Sequence, residues 1–183
     1  EIHSLPLHDA VKRNAVDEIK RILSKRESTG IDVNAEDENG CTALIEACIS
    51  GNEEIVNLLL QQGCPAQPSA GFRHSPIRGA SVAGNSHIIP ILLRNGADPN
   101  ALSDGNRTAL MGACFLRKNV KDAESKSVKC VEALLLDKRT DPTIANSFGE
   151  TALDLAKVRG YDRSVELLQR ALVEWNEGSR QQV

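Results

Sequence analysis

A chain of 183 residues suits one compact domain or one short solenoid. Its net charge of -3 lacks the basic excess that marks non-specific nucleic-acid binding, and no apolar run approaches the ~18 residues of a membrane span. Aromatic residues make up only 3%, so the core has to be built from Leu, Ile, Val and Ala, which favours close helix packing over a sandwich or barrel.

The first residues, EIHSLPLHDA, carry no basic start and no apolar signal core, so no secretory signal is expected. They also lack an initiator Met, which leaves open a processed protein or a fragment of something longer. The cysteines are Cys41, Cys48, Cys64, Cys114 and Cys130. An odd number without a C-x-x-C pair argues against a disulfide framework and against a zinc cluster, and points to a reducing compartment, cytoplasmic or nuclear.

Taken in order, the chain repeats itself. Leu5-Pro-Leu-His opens a first unit, LPLHDAVKRNAVDEIKRILSKRESTGIDVN. Thr42-Ala-Leu opens a second, TALIEACISGNEEIVNLLLQQGCPAQ, 37 residues later. Ser75-Pro-Ile follows after 33 residues and Thr108-Ala-Leu after another 33, and Thr151-Ala-Leu after 43 more. Each unit reads as helix, tight turn, helix, tight turn. Ser or Thr at the head suits an N-cap. Ala47-Cys48, Ala80-Ser81 and Ala113-Cys114 hold equivalent places in the first helix, where small side chains let helices approach closely. The second helices carry Ile55-Val56-Leu58-Leu59-Leu60, Ile88 to Leu93, and Cys130-Val131-Leu134-Leu135-Leu136, apolar over most of their surface as for helices sandwiched between neighbours. Gly40 and Gly149 end the connecting turns, where the backbone requires φ above zero, and Asn106 takes the same place in the third. Arg73 takes it in the second, so that turn is expected to be irregular.

This period, with T-x-L, a small-residue pair, Gly, an I-V-x-L-L-L run and G-A-D, resembles the ankyrin repeat over about residues 5 to 173. The resemblance implies an all-α helix-turn-helix solenoid of five repeats with β-hairpin fingers. Its boundaries fall at about 5–41, 42–74, 75–107, 108–150 and 151–175, with 176–183 a disordered tail. Unit one, with Lys12, Arg13, Asp17 and Lys20, and unit five are read as caps. The resemblance further implies binding of another protein or peptide. Asn34 and Asn100, which follow D-x in the finger turns, are expected to shape the hairpins through a side-chain hydrogen bond; the resemblance also allows their hydroxylation.

Three departures stand out. Pro90 falls inside a second helix, where it removes a hydrogen bond and tilts the first turn. Unit one runs long at SKRESTG. Unit four carries about ten extra residues in RKNVKDAESKSVK, read either as a solvated loop or helix extension, or as a docking element or phosphosite around Ser125 or Ser127. The extra segment is expected at the end of the helix pair away from the fingers.

No catalytic constellation appears, and no cofactor or metal is implied. His3, His8, His74 and His87 are scattered, without a ligand partner at metal spacing, and phosphate loops and G-x-S-x-G are absent. The resemblance places the exposed side of each first helix, and the fingers, on a concave binding face. On it stand Glu46, Ile49, Arg78, Gly79, Val82, Met111, Gly112 and Phe115, with Val158 and Arg159 in unit five and Phe72, Arg73, Arg107 and Phe148 from the fingers. Ile49, Val82, Phe115 and Val158 form an apolar row at equivalent positions, and Phe or Met at an exposed site suits an anchor. Gly79 and Gly112 also hold equivalent places, at about 1 kcal/mol each relative to Ala in a helix. They either open a floor for a partner backbone or relieve crowding between neighbouring helices. The middle of the face is basic and the first finger acidic (Glu36, Asp37, Glu38), a distribution that fits an acidic or amphipathic peptide. The function expected is a non-enzymatic, monomeric scaffold, adaptor or inhibitor with no nucleic-acid or membrane partner. The alternative is a regulatory segment of a larger enzyme, channel or transcription regulator.

Overall fold

The computed structural model describes residues 6–67, 74–116 and 121–180, and all regular structure there is helical. The helices are α1 (Pro6–Lys12), α2 (Val16–Ser24), the short α3 (Arg26–Thr29), α4 (Ala43–Ser50), α5 (Glu53–Gln61) and α6 (Pro76–Ala83). They continue with α7 (Ile89–Arg94), α8 (Ala109–Cys114), α9 (Ala123–Leu135), α10 (Ala152–Arg159) and α11 (Asp162–Arg180). First helices stack on first helices, α1 on α4, α4 on α6, α6 on α8 and α8 on α10. Second helices form the other layer, with contacts α2–α5, α7–α9 and α9–α11.

The start of each first helix after α1 is set by its cap. The hydroxyls of Thr42, Ser75, Thr108 and Thr151 accept the backbone N–H of Ile45, Arg78, Met111 and Asp154 at 3.3, 3.4, 3.3 and 3.3 Å. Each such cap contributes about 1 kcal/mol. Gly51, Gly84 and Gly160 end α4, α6 and α10 in the left-handed region, a conformation that costs little only without a Cβ.

The core between the layers is aliphatic. Leu44, Ile55, Leu59, Ile77, Ile89, Leu92, Leu110 and Leu134 are fully or almost fully buried. Leu136, the last of its apolar run, is different. It lies one residue past α9 and is 80% exposed, because no helix covers it from the next unit.

Where β-hairpin fingers are expected, the described residues hold no strand. Single antiparallel bridges, Glu36–Thr42, Ser103–Arg107 and Ala145–Thr151, close three of the finger loops. Side chains shape these loops. Asp37 Oδ1 accepts the N–H of Asn39 and of Cys41, at 2.9 and 3.0 Å. Asn146 Oδ1 does the same for Phe148 and Glu150 at 2.9 and 3.0 Å. Gly40 and Gly149 have φ of 74° and 77°, and Asn106 has φ of 55°, so all three positions take the left-handed conformation expected of them. Arg73 lies outside the described residues.

Three expectations gain detail from the structure. Pro90 sits in the first turn of α7, where its missing N–H has no helical acceptor in any case, and so starts the helix rather than interrupting it. Most of the unit-four insertion is the N-terminal part of α9, which begins at Ala123. Ser127 in it is fully buried and shares a 2.9 Å hydrogen bond with Ser164 of α11, which removes it as an accessible phosphosite, while Ser125 is exposed. Finally, α11 runs to Arg180, so residues 176–180 continue the last helix where an irregular tail was expected.

Gly79 and Gly112 are both buried at helix–helix contacts. A Cβ on Gly79 would meet Ile45 Cγ2 and Ile49 Cγ1 at 3.4 Å, and one on Gly112 would meet Val82 Cγ1 at 2.9 Å. Gly112 relieves crowding between first helices, whereas Gly79 would tolerate a Cβ at ordinary contact distance, and neither forms an open floor. Two stability outcomes follow. Gly112→Ala is expected to destabilise the fold by about 1–3 kcal/mol through overpacking, with partial recovery in the Gly112→Ala/Val82→Ala double variant. Gly79→Ala is expected to be close to neutral, since its contact is ordinary and Ala gains about 1 kcal/mol of helix propensity. Urea denaturation of the three variants measures both; equal losses at the two glycines would contradict the packing argument. Ser127→Ala should cost about 1–3 kcal/mol by stranding the Ser164 hydroxyl, and Ser127→Ala/Ser164→Ala less than Ser127→Ala alone, as read by the same denaturation curves.

Candidate partner-binding face

The face begins with what holds adjacent units in register. His8 Nε2 lies 3.0 Å from the carbonyl of Cys41, and both residues are buried. Asn85 Nδ2 donates to the carbonyls of Cys48 and Ile49, both at 2.9 Å, at the C-terminal end of α4. His87 Nε2 lies 3.0 Å from the carbonyl of Gly51. In the finger row, Asn100 Nδ2 donates to Arg139 O at 2.7 Å and its Oδ1 accepts from Asp141 N at 2.8 Å. The Asn100 side chain is thus spent between two finger loops, whereas the local turn is made by Asp98, which accepts from Asn100 N at 2.9 Å. Asp32 and Asp141 make the same turn with Asn34 N and Thr143 N, each at 2.8 Å. These cross-links carry no signal in hydrophobic periodicity. The recurring Asp in D-x-N and D-x-T marks the local turns and not these cross-links.

The structure sorts the expected site residues by exposure. Met111 is 2% exposed and packs in the core, which overturns its reading as a surface anchor. Burial takes Gly79 and Gly112 out of the surface as well. Glu46, Ile49, Arg78 and Val82 are half-buried along α4 and α6. Arg107 is exposed, Phe115 is 48% exposed and Phe148 is 76% exposed. Phe72 and Arg73 lie outside the described residues. Two groupings result. At the finger tips, Ser147 N donates to Gly105 O at 2.9 Å, which joins the loop of Arg107 to the loop of Phe148. At the other end of the first helices, the guanidinium carbon of Arg159 lies 3.7 Å from the centroid of the Phe115 ring.

Charge on the face is partly neutralised within the chain. Lys12 pairs with Asp37 at 3.2 Å there, and Lys20 of α2 pairs with Glu54 of α5 at 2.9 Å in the other layer; the latter pair ties unit one to unit two. Burial pushes the Asp37 carboxyl up. The N–H of Cys41, the Lys12 ammonium and the N–H of Asn39 outweigh it and leave Asp37 below its usual range. Asp154 is held low by the hydroxyl and then the N–H of Thr151, in a capping box. All five cysteines are buried and reduced. Burial raises the thiols of Cys64 to about 11 and of Cys114 and Cys130 to about 12, so they are packing residues rather than nucleophiles.

Among the described residues no cluster of His, Cys, Asp and Glu is built to hold a metal, and no helix is long and apolar enough to cross a membrane. A cleft of about 770 Å³ lies between the end of α9 and α11, with Leu136, Thr140, Pro142, Arg170 and Trp175 in its wall. Sequence reading did not anticipate it, because it depends on α11 outrunning α9. No His, Cys or Ser is among the described residues that line it. Asp137 at its edge is held low by the Arg139 hydrogen bond, a surface ion pair of 2.6 Å.

Helix pairs of this kind, stacked first on first with T-x-L caps, are matched in known proteins. The family described as ankyrin repeats (3 copies) matches residues 2–70. The chain belongs to the ankyrin-repeat family. It is 32% identical over 151 residues to the mitochondrial disaggregase of Bos taurus, covering 82% of this chain and 21% of that protein. It is 38% identical over 93 residues to transient receptor potential cation channel subfamily A member 1 of Homo sapiens, covering 51% of this chain and 8% of the channel. It is 34% identical over 130 residues to the ankyrin repeat and KH domain-containing protein mask-1 of Caenorhabditis elegans, covering 69% and 5%. The ankyrin-repeat chain therefore spans about a fifth or less of the length of these relatives.

Acid sensitivity follows from the carboxylates of the ankyrin framework. Asp37, Asp137 and Asp154 have folded pKa values below their unfolded ones. Their stabilising contribution is present above about pH 4 and is lost as pH falls through the folded values. Asp37→Asn is expected to flatten the acid limb of a melting-temperature-versus-pH curve below about pH 4 while lowering stability at pH 7. An acid limb of unchanged slope would show that Asp37 is not linked to folding.

Proposed function

We propose that this chain is a non-enzymatic protein-binding module of five ankyrin repeats, which engages a protein or peptide through its first-helix face and finger tips as a scaffold, adaptor or inhibitor. One observation carries the reading. The described residues contain two phenylalanines, Phe115 and Phe148, in a chain whose core is otherwise aliphatic, and both are exposed. Large rings left on the surface are characteristic of binding anchors. Half-buried Ile49 and Val82 extend the apolar row, and Arg78, Arg107 and Arg159 bias it toward acidic or amphipathic partners. The ankyrin family, whose repeats are typically interaction modules, supports the class. The proposal includes a monomeric state, a cytoplasmic or nuclear location, and no nucleic-acid or membrane partner.

The second reading, a regulatory segment of a larger protein, is favoured by the relatives. They include a cation channel, a disaggregase and the E3 ubiquitin-protein ligase XBAT33 of Arabidopsis thaliana, and the chain covers only 8%, 21% and 25% of those three proteins, respectively. Under this reading the same face binds either a neighbouring domain or a separate regulator.

Arg107→Glu with Phe148→Ser changes two exposed finger residues and should leave the circular dichroism spectrum and melting temperature close to wild type. Affinity capture with quantitative mass spectrometry is expected to show specific partners of the wild-type chain reduced by about tenfold or more with this variant. An unchanged partner profile would count against binding through the fingers.

A further inference from the structure

We infer that Arg159, stacked on Phe115 beside Val158, is a docking point for a peptide carboxylate, an Asp or Glu flanked by an apolar side chain. The inference rests on the protein-binding reading above and narrows it to one chemistry at one place.

Arg159 is the last residue of α10 and is followed by the left-handed Gly160. Its guanidinium carbon lies 3.7 Å from the Phe115 ring centroid. A ring face attracts the cation but supplies no acceptor in the guanidinium plane, where the five N–H donors point. Arg159 Nε is buried and meets no acceptor among the described residues. Other arginines of the chain are treated differently. Arg13, Arg139 and Arg163 each reach a carboxylate, at 3.0, 2.6 and 2.8 Å. The acid nearest along α10, Asp154, is already engaged by the N–H and hydroxyl of Thr151 at 2.9 and 2.7 Å. A buried donor without an acceptor is unfavourable and uncommon. Here the stack on Phe115 holds the fork in place, so little freedom is lost when an acceptor arrives.

A carboxylate matches that fork with two parallel hydrogen bonds. The surroundings specify what accompanies it. Phe115 retains 48% exposure and Val158 is 75% exposed. They are neighbours in the row of equivalent positions, on the packed helices α8 and α10. An apolar residue beside the acid would cover both and exclude water from the ion pair, the arrangement in which a charged contact is worth most.

The test selects binders from a random dodecapeptide display library against the full chain and measures the recovered peptides by fluorescence polarisation. The expected peptides pair an Asp or Glu with a bulky apolar residue. Replacing that acid by its amide is expected to weaken binding to wild type by about tenfold, and to Arg159→Gln by less than about twofold, since the partner charge is then gone. Arg159→Lys should restore only part of the affinity, because the fork and the stack are lost. The Nε–Hε resonance of Arg159 in the wild-type chain should shift on adding the peptide, a readout independent of any variant's folding. Recovery of no binders, of peptides without an acid, an equal acid-to-amide penalty on both proteins, or an unmoved Arg159 resonance would each overturn the inference. Peptides that depend on Arg107 and Phe148 but not on Arg159 would overturn it while sustaining the broader protein-binding reading, and peptides that depend on none of these residues would overturn both.

Discussion

Close approach of neighbouring first helices is the constraint on which the rest of the molecule depends. Ala47, Cys48, Gly79, Ala80, Ala113 and Cys114 are buried along that seam, and each is small enough to let one backbone lie near the next. Gly112 shows how tight the seam is, since even a methyl group there would meet Val82 at 2.9 Å. No single helix pair could bury its apolar faces alone. Stacking converts Leu44, Ile77 and Leu110, one from each of units two to four, into a continuous core. The lack of aromatic residues follows from the same geometry, because a large ring has no room in the seam.

Hydrophobic stacking alone would allow neighbouring units to slide. Directional bonds prevent this. Asn85 anchors α6's turn to the end of α4 through the Cys48 and Ile49 carbonyls, His8 ties unit one to Cys41, and Asn100 ties one finger loop to the next. Ser127 and Ser164 do the same between α9 and α11. The buried ones, His8 to Cys41 and Ser127 to Ser164, satisfy groups that would otherwise be left without partners. The framework is consequently rigid where units meet, and its outward residues, Arg107, Phe115, Phe148 and Val158, are held on fixed supports without being needed for packing. That separation is why one framework serves proteins as different as the relatives of this chain.

The two aromatic groupings occupy opposite ends of the first helices. Phe148 stands at the finger tips, where Ser147 and Gly105 join adjacent loops. Phe115 stands at the far end, under Arg159. An extended partner crossing the face would meet an apolar anchor at each end, with half-buried Ile49 and Val82 continuing the Phe115 row along α4 and α6. The cleft between α9 and α11 belongs to the other layer, away from this path.

Much of the fold was legible in the chain itself. Caps at Thr42, Ser75, Thr108 and Thr151 and left-handed turns at Gly40, Asn106 and Gly149 follow from local backbone chemistry, which acts over a few residues and leaves its mark in the sequence. The binding face was legible only as a set of positions. Met111, Gly79 and Gly112 occupy the expected register, yet they are buried, because exposure depends on how far the next helix leans over them. The stack of Arg159 on Phe115 joins residues from different units, and the cleft beside Trp175 depends on the relative lengths of α9 and α11. By itself the sequence determined that paired helices form, where the first helix of each later unit starts and that the pairs must stack. Tertiary structure decided which side chains the stack covers and which cations find a carboxylate, since these are set by distances between units that no periodicity records.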